Sequence, residues 1–145
     1  MTPFSVIKSA DINSTIEHFY SNNQKLPYSR IPVYSKDKDD INYYVLKDTI
    51  LEKLIQKKGK MKLGEIKRPI IKTYFETKIP LLFDKLLKKR EHISLVIDEY
   101  GSVRGIVTLE DIIETLLGLE IVDETDTVVD LQALAKKRGK KYLKK

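Results

Sequence analysis

Residues 93–116 read ISLVIDEYGSVRGIVTLEDIIETL, and the fold follows from how this stretch is parsed. Ile93–Ile97 is an apolar run of strand length, and Asp98-Glu99-Tyr100-Gly101-Ser102 after it is a turn signal. Val103–Val107 returns as a second strand, so the two form a hairpin. A helix must follow at once. Thr108 can cap it, and Asp111 three residues on makes a relative of the capping box. Ile112, Ile113, Leu116 and Leu117 then recur at helical spacing.

The same pattern stands earlier in the chain. At an offset of 62 residues, 31–54 (IPVYSKDKDDINYYVLKDTILEKL) lies on 93–116 without gaps. Only Ile31/Ile93, Ile50/Ile112, Glu52/Glu114 and Leu54/Leu116 are identical, but the apolar pattern agrees further, at Val33/Leu95, Tyr34/Val96, Ile41/Val103, Tyr44/Ile106, Val45/Val107 and Leu51/Ile113. Upstream, Lys78–Lys89 lines up Ile79, Leu82, Phe83 and Leu86 on one helical face, and Asp11–Tyr20 does so with Ile12, Ile16 and Phe19. An offset of 67, a small insertion away from 62, aligns Ile12, Ile16 and Phe19 with Ile79, Phe83 and Leu86. Strand-like segments Phe4–Ile7 and Pro69–Lys72 precede the two helices. Each unit therefore reads β-α-β-β-α. One such unit is too small to cover both faces of its sheet. The expectation is an α+β fold of two repeats packed sheet to sheet with pseudo-twofold symmetry, leaving clefts between them. The first repeat spans 1–60, the second 61–126, and a basic tail 127–145.

Composition removes several classes of function. With 145 residues, 41% hydrophobic and 33% charged, the chain can bury one sizeable core. It has no cysteine, which excludes disulfides, thiolate metal sites and thiol nucleophiles. Its two histidines, His18 and His92, are far apart in sequence. No nucleophile–base pair and no framed carboxylate pair appears, so the chain reads as non-enzymatic. The net charge of +6 is local: of 27 Lys and Arg, seven lie in 136–145 (KKRGKKYLKK), and the other 20 balance 21 acids. A basic binding face for nucleic acid is therefore absent from the body. No apolar run reaches the ~18 residues of a membrane span, and the N-terminus has no signal-peptide pattern. Taken alone, the sequence reads as that of a soluble cytoplasmic piece.

These residues carry a resemblance. The tandem repeat with GIVTLED at 105–111 looks like a CBS-domain pair, a Bateman module. More narrowly, 90–126 (REHISLVIDEYGSVRGIVTLEDIIETLLGLEIVDETD), Met1-Thr2-Pro3 and 29–34 (SRIPVY) resemble the CorC/hemolysin-C-like proteins and cyclin-M-type magnesium transporters. The resemblance implies a regulatory module that binds an adenosine nucleotide, ATP or AMP, with Mg²⁺ arriving on the nucleotide and no dedicated metal cage. It also implies a homodimer through the CBS pairs, a transmembrane domain in the parent protein, and a place on the cytoplasmic side of a membrane. Starting within the MTP motif fits a piece of a longer membrane protein that transports divalent cations, Mg²⁺ or Co²⁺.

The resemblance also nominates residues. The Gly-apolar-apolar-Thr-x-x-Asp pattern is complete at Gly105, Thr108 and Asp111. A helix N-terminus with free N–H groups suits phosphate. Asp111 can accept both ribose hydroxyls, and Gly105 leaves room for a ligand to approach the backbone. Ile70, Ile71, His92 and Ile93 are expected to form the slot for the base, and His92 and Arg30 to reach phosphates. The first repeat departs from the pattern, with Tyr43, Leu46 and Thr49 at the matching positions. That departure keeps an alternative open, a degenerate pair serving only as a dimerisation scaffold. The acidic run Glu120–Asp126 reads as a solvated linker and not as a metal site.

Overall fold

The computed structural model describes residues 1–3, 7–25 and 27–124. In chain order the elements are β1 (Thr2–Pro3), β2 (Ala10–Asp11), α1 (Ile16–Asn22), β3 (Arg30–Tyr34), β4 (Ile41–Leu46), α2 (Lys47–Ile55), a 3-10 turn (Leu63–Glu65), β5 (Arg68–Pro69), β6 (Ile71–Tyr74), α3 (Ile79–Lys89), β7 (Ile93–Ile97), β8 (Val103–Thr108) and α4 (Leu109–Glu124). Two mixed four-stranded sheets result, ordered β2-β3-β4-β5 and β1-β8-β7-β6. The α+β architecture expected from the repeat is present. No helix among the described residues is long and apolar enough to cross a membrane.

Period-2 alternation sorts the side chains into three cores. Ile31, Val33 and Val45 turn toward α1 and α2 and pack with Ile16, Phe19 and Ile50. Val96 and Val107 do the same toward α3 and α4, with Leu82, Leu86 and Ile112. Between the sheets, Ile41 and Tyr44 of β4 meet Ile93, Leu95 and Ile106 of β7 and β8, with Ile70 beside them. Each sheet is thus covered by helices on one face and by the other sheet on its second.

Strand register corrects the repeat alignment. Arg30 lies opposite Leu46 and Ile93 opposite Thr108, and both hairpins carry an irregularity, at Val33/Tyr34 and Val96/Ile97. The parallel pairs agree: Ala10 pairs with Val33, and Thr73 with Val96. The two helices start at Ile16 and Ile79. From β2 to β3 the offset is therefore 63 throughout, with no insertion near the helices, and it falls to 62 only after the hairpin turn. The turn of the first repeat, 35–40, is one residue longer than that of the second, 98–102. A gapless 62 places Ile31 on Ile93, yet Ile31 faces helices and Ile93 faces the other sheet. A slip of one residue exchanges the two faces of a strand. Ile31 corresponds instead to Ser94, whose buried hydroxyl bonds Thr73 Oγ1 at 2.7 Å and the Ile71 carbonyl at 3.1 Å.

The boundaries of the leading elements also differ from expectation. Helix α1 begins at Ile16, because the Thr15 hydroxyl accepts the His18 N–H and Asp11 is still in a strand. Of the expected strand Phe4–Ile7, residues 4–6 lie outside the described residues, and Ile7 is in no strand. The expected strand Pro69–Lys72 is divided between β5 and β6, which join different sheets.

That division reflects a reciprocal exchange. β1, from the start of the chain, runs antiparallel to β8 of the second repeat, with Pro3 opposite Gly105. β5, from the start of the second repeat, runs antiparallel to β4 of the first, with Pro69 opposite Tyr43. Both strands lie at sheet edges, where a proline's missing N–H costs no ladder bond. Gly105 is needed for this pairing: a Cβ there would collide with the Thr2 carbonyl oxygen and sit 3.2 Å from Met1 Cγ. Gly105→Ala is expected to lower stability by about 1–3 kcal/mol through overpacking. A thermal melt of the variant checks this, and an unchanged midpoint would contradict the assignment.

Candidate functional site

Strand β8 passes into α4 with no intervening loop. The Leu109 N–H donates to the His92 carbonyl at 2.9 Å, just as Lys47 N–H donates to Ser29 in the first repeat at 2.9 Å. At this junction Asp111 N–H donates to Thr108 Oγ1 at 3.2 Å, and Thr108 N–H donates to Asp111 Oδ2 at 3.4 Å. The two half-buried side chains thus form a reciprocal capping box. Among the described residues no hydrogen bond is made to Asp111 Oδ1, which keeps its accepting capacity. The N-terminal dipole of a long helix points out beside them. In the first repeat Leu46 occupies the cap position and makes no side-chain bond there.

A cavity of about 380 Å³ opens at this helix end, within the size range of small-molecule sites. The second repeat contributes Ile93, Ile106, Thr108 and Asp111, with Glu110 also in the first turn of α4 and Glu114 one turn on. Thr2, Ile7 and Lys8 come from the N-terminal segment, and Tyr28, Ser29 and Arg30 from the approach to β3. Apolar walls (Ile7, Ile93, Ile106), an aromatic ring half exposed at Tyr28, two cations and an acid-capped helix end face one space. Such a set suits a molecule with a flat base at one end and anionic groups at the other.

Four of the eight nominated residues meet here: Arg30, Ile93, Thr108 and Asp111. The others lie elsewhere. Gly105 is spent on β1. The His92 side chain is exposed, and its carbonyl anchors α4. Ile70 is buried between the sheets beside Tyr44, and Ile71 packs toward α3 and α4 in the second core. The reason is the exchange of leading strands: β1 carries the chain start across to β8, so Ile7 and Lys8 stand where Ile70 and Ile71 were expected. Ile7, Lys8 and Tyr28 are the lining residues that sequence reasoning missed. The 63-residue offset would have found them, since it maps Ile70 onto Ile7 and Glu91 onto Tyr28.

The corresponding place in the other half looks different. Tyr44 stands where β8 has Ile106, since it faces Arg68 of β5 as Ile106 faces Thr2 of β1. Its hydroxyl donates to Glu91 Oε1 at 2.7 Å, and the Arg68 guanidinium lies 6.0 Å from its ring centre. Burial raises the Tyr44 phenol above the usual 10.0, and the Glu91 hydrogen bond and charge raise it further against the pull of Arg68 and Arg30. A pKa raised on folding gives stability that is complete below the unfolded value and lost as pH rises through the folded one. Above pH 10.0 the wild type should therefore lose melting temperature more steeply than Tyr44→Phe. Parallel alkaline limbs would contradict this.

Among the described residues no group of three or more His, Asp or Glu is placed to hold a metal ion. The side chains of the acidic run Glu120–Asp126 and the whole tail 127–145 lie outside the described residues.

Comparison with known proteins adds the relatives. The CBS-domain family model matches residues 63–118. The magnesium and cobalt efflux protein CorC of Vibrio cholerae is 30% identical over 126 residues, covering 87% of this chain and 43% of its own. The CBS domain of a bacterial CNNM/CorC family Mg²⁺ transporter, solved in complex with ATP, superposes with a TM-score of 0.76 at 28% identity, covering 81% of this chain and 84% of its own. A hemolysin-like CBS-domain protein of Oenococcus oeni gives a TM-score of 0.72 at 30% identity, covering 79% and 84%. The chain spans only 34% and 43% of two of the curated proteins it matches. The repeat, the exchanged edge strands and these relatives agree, and the chain belongs to the CBS-domain family, as a tandem pair of the CorC/hemolysin-C-like and CNNM branch.

Proposed function

We propose that this chain is a regulatory, non-catalytic module that binds one adenosine nucleotide in the cavity at the N-terminus of α4. The observation that carries the reading is the convergence of Thr108, Asp111, Ile93 and Arg30 on one cavity of about 380 Å³. Asp111 Oδ1 accepts the ribose hydroxyls, Tyr28 and the isoleucines flank the base, and Arg30, Lys8 and the helix N-terminus face the phosphates. Glu110 and Glu114 add negative charge to the same space, so a triphosphate enters best with Mg²⁺ bound to it. The ATP complex of the related Mg²⁺ transporter CBS domain supports this ligand class. The parent protein on this reading is a membrane transporter of divalent cations, with the module on the cytoplasmic side, joined to a transmembrane domain. Nucleotide occupancy then biases the parent through differential affinity for its states.

The module acts as a homodimer. α2 and α4 present matching apolar pairs related by the 62-residue offset, half-buried Leu51 with exposed Ile55 on one, exposed Ile113 and Leu117 on the other. Ile55 is 82% exposed and Leu117 51%, which marks faces that a second copy can cover.

Calorimetric titration with ATP, ADP and AMP, with and without Mg²⁺, tests the ligand. Binding of one nucleotide per chain is the expected result. No heat with any of the three would leave the dimerisation scaffold as the function.

A further inference from the structure

The pair of repeats has two places where a cleft of this kind can form, related by the pseudo-twofold axis. One is the cavity at α4. The other would lie at the start of α2, and its walls can be named from the register. Tyr44 replaces Ile106, Arg68 replaces Thr2, Ile70 replaces Ile7 and Glu91 replaces Tyr28. All four of the residues replaced line the α4 cavity. Their counterparts gather around Tyr44. Tyr44 is only 2% exposed, its hydroxyl reaches Glu91 at 2.7 Å, its ring lies under Arg68, and it shares a core cluster with Ile70. On the α4 side too Thr2 pairs with Ile106 and Ile7 packs against its cluster; what the second side adds is the bond from the Tyr44 hydroxyl to Glu91, which an isoleucine cannot make.

We infer that the second cleft is filled by the chain's own Tyr44 and Glu91, and that Tyr44 is the residue that limits the module to a single site. The inference rests on the nucleotide reading above for its ligand, but the occlusion itself rests on the contacts. A phenol ring in place of an isoleucine occupies the space a base would need. The hydroxyl-to-carboxylate bond then holds that ring across the mouth, and charge-assisted bonds of this type are the stronger class. The loss of Thr108 and Asp111 counterparts at Leu46 and Thr49 is on this account secondary, since restoring them leaves the space closed.

Two grafted chains separate these causes, read by calorimetric stoichiometry with Mg²⁺-ATP. The first carries Leu46→Thr and Thr49→Asp and keeps Tyr44. The second adds Tyr44→Ile and Glu91→Ala. The second is expected to bind one more nucleotide per chain than the first, two against one. Equal stoichiometry in two cooperatively melting grafts overturns the occlusion. Should the wild type bind no nucleotide, the functional reading fails. The occlusion then still stands or falls on the difference between the grafts. A measurement on the wild type covers the case of a graft that does not fold. With Mg²⁺-ATP in excess, nuclear Overhauser contacts from the Tyr44 ring to Glu91 and Ile70 are expected to persist unchanged. Their loss on adding ATP would overturn the inference.

Discussion

Asp111→Ala is expected to weaken ATP binding at least tenfold while leaving the fold intact. The carboxylate serves two purposes, and only one is replaceable. Its Oδ2 helps cap α4 through Thr108 N–H at 3.4 Å, a long bond whose loss costs roughly 1 kcal/mol of stability. On the nucleotide reading proposed above its other oxygen accepts the ribose hydroxyls, and losing a hydrogen bond to a charged acceptor costs about 1.5–3 kcal/mol each. One such bond exceeds a factor of ten in affinity. Thr49→Ala, at the matching position of the first repeat, should change affinity little, since Thr49 lies at the closed cleft. A calorimetric titration of both variants reads the contrast. Loss of binding in Thr49→Ala with retention in Asp111→Ala would reverse the assignment of the site.

The second large effect is on assembly. Ile113→Glu together with Leu117→Glu is expected to turn a dimer into a 16.8 kDa monomer at micromolar concentration. Ile113 is 40% exposed and Leu117 51%, while Ile112 on the inner face of α4 is only 1% exposed. The inner residue holds the chain's own core, so the outer pair can be changed without unfolding it. Covering one such side chain contributes about 1.5–3 kcal/mol, and each appears twice across a twofold interface. The double variant should therefore raise the dissociation constant by more than about 100-fold. Sedimentation equilibrium reads the mass. A wild type that is already monomeric would contradict the dimer.

The fold was legible because the hairpin-plus-helix pattern occurs twice and because two copies are the least that can cover both sheets. The capping pair Thr108 and Asp111 was legible for a related reason: strand, cap and helix follow without a gap, so three residues of sequence define three-dimensional neighbours. The remaining walls of the α4 cavity were not legible by the same reasoning. They come from chain segments that cross to the other repeat, and two-residue strands such as β1 and β5 leave almost no periodic signal. Ile70 and Ile71 lie outside this cavity, and their counterparts at the 63-residue offset, Ile7 and Lys8, line it instead. The offset was misjudged for a similar reason. Isoleucine at both 31 and 93 made 62 attractive, although Ile31 packs on helices and its true counterpart, Ser94, is polar. Tyr44 was read as an apolar match to Ile106, and its hydroxyl, which finds Glu91 in the distant α3–β7 connection, carried no local signal.

The most direct test of the central claim is a map of amide shifts on adding Mg²⁺-ATP to isotopically labelled protein. The cavity at α4 predicts that Ser29, Arg30, Ile93 and the 108–111 junction shift together and saturably, while Lys47–Thr49 at the other cleft stay in place. Shifts centred on Lys47–Thr49, or none at the 108–111 junction at saturating nucleotide, would contradict it.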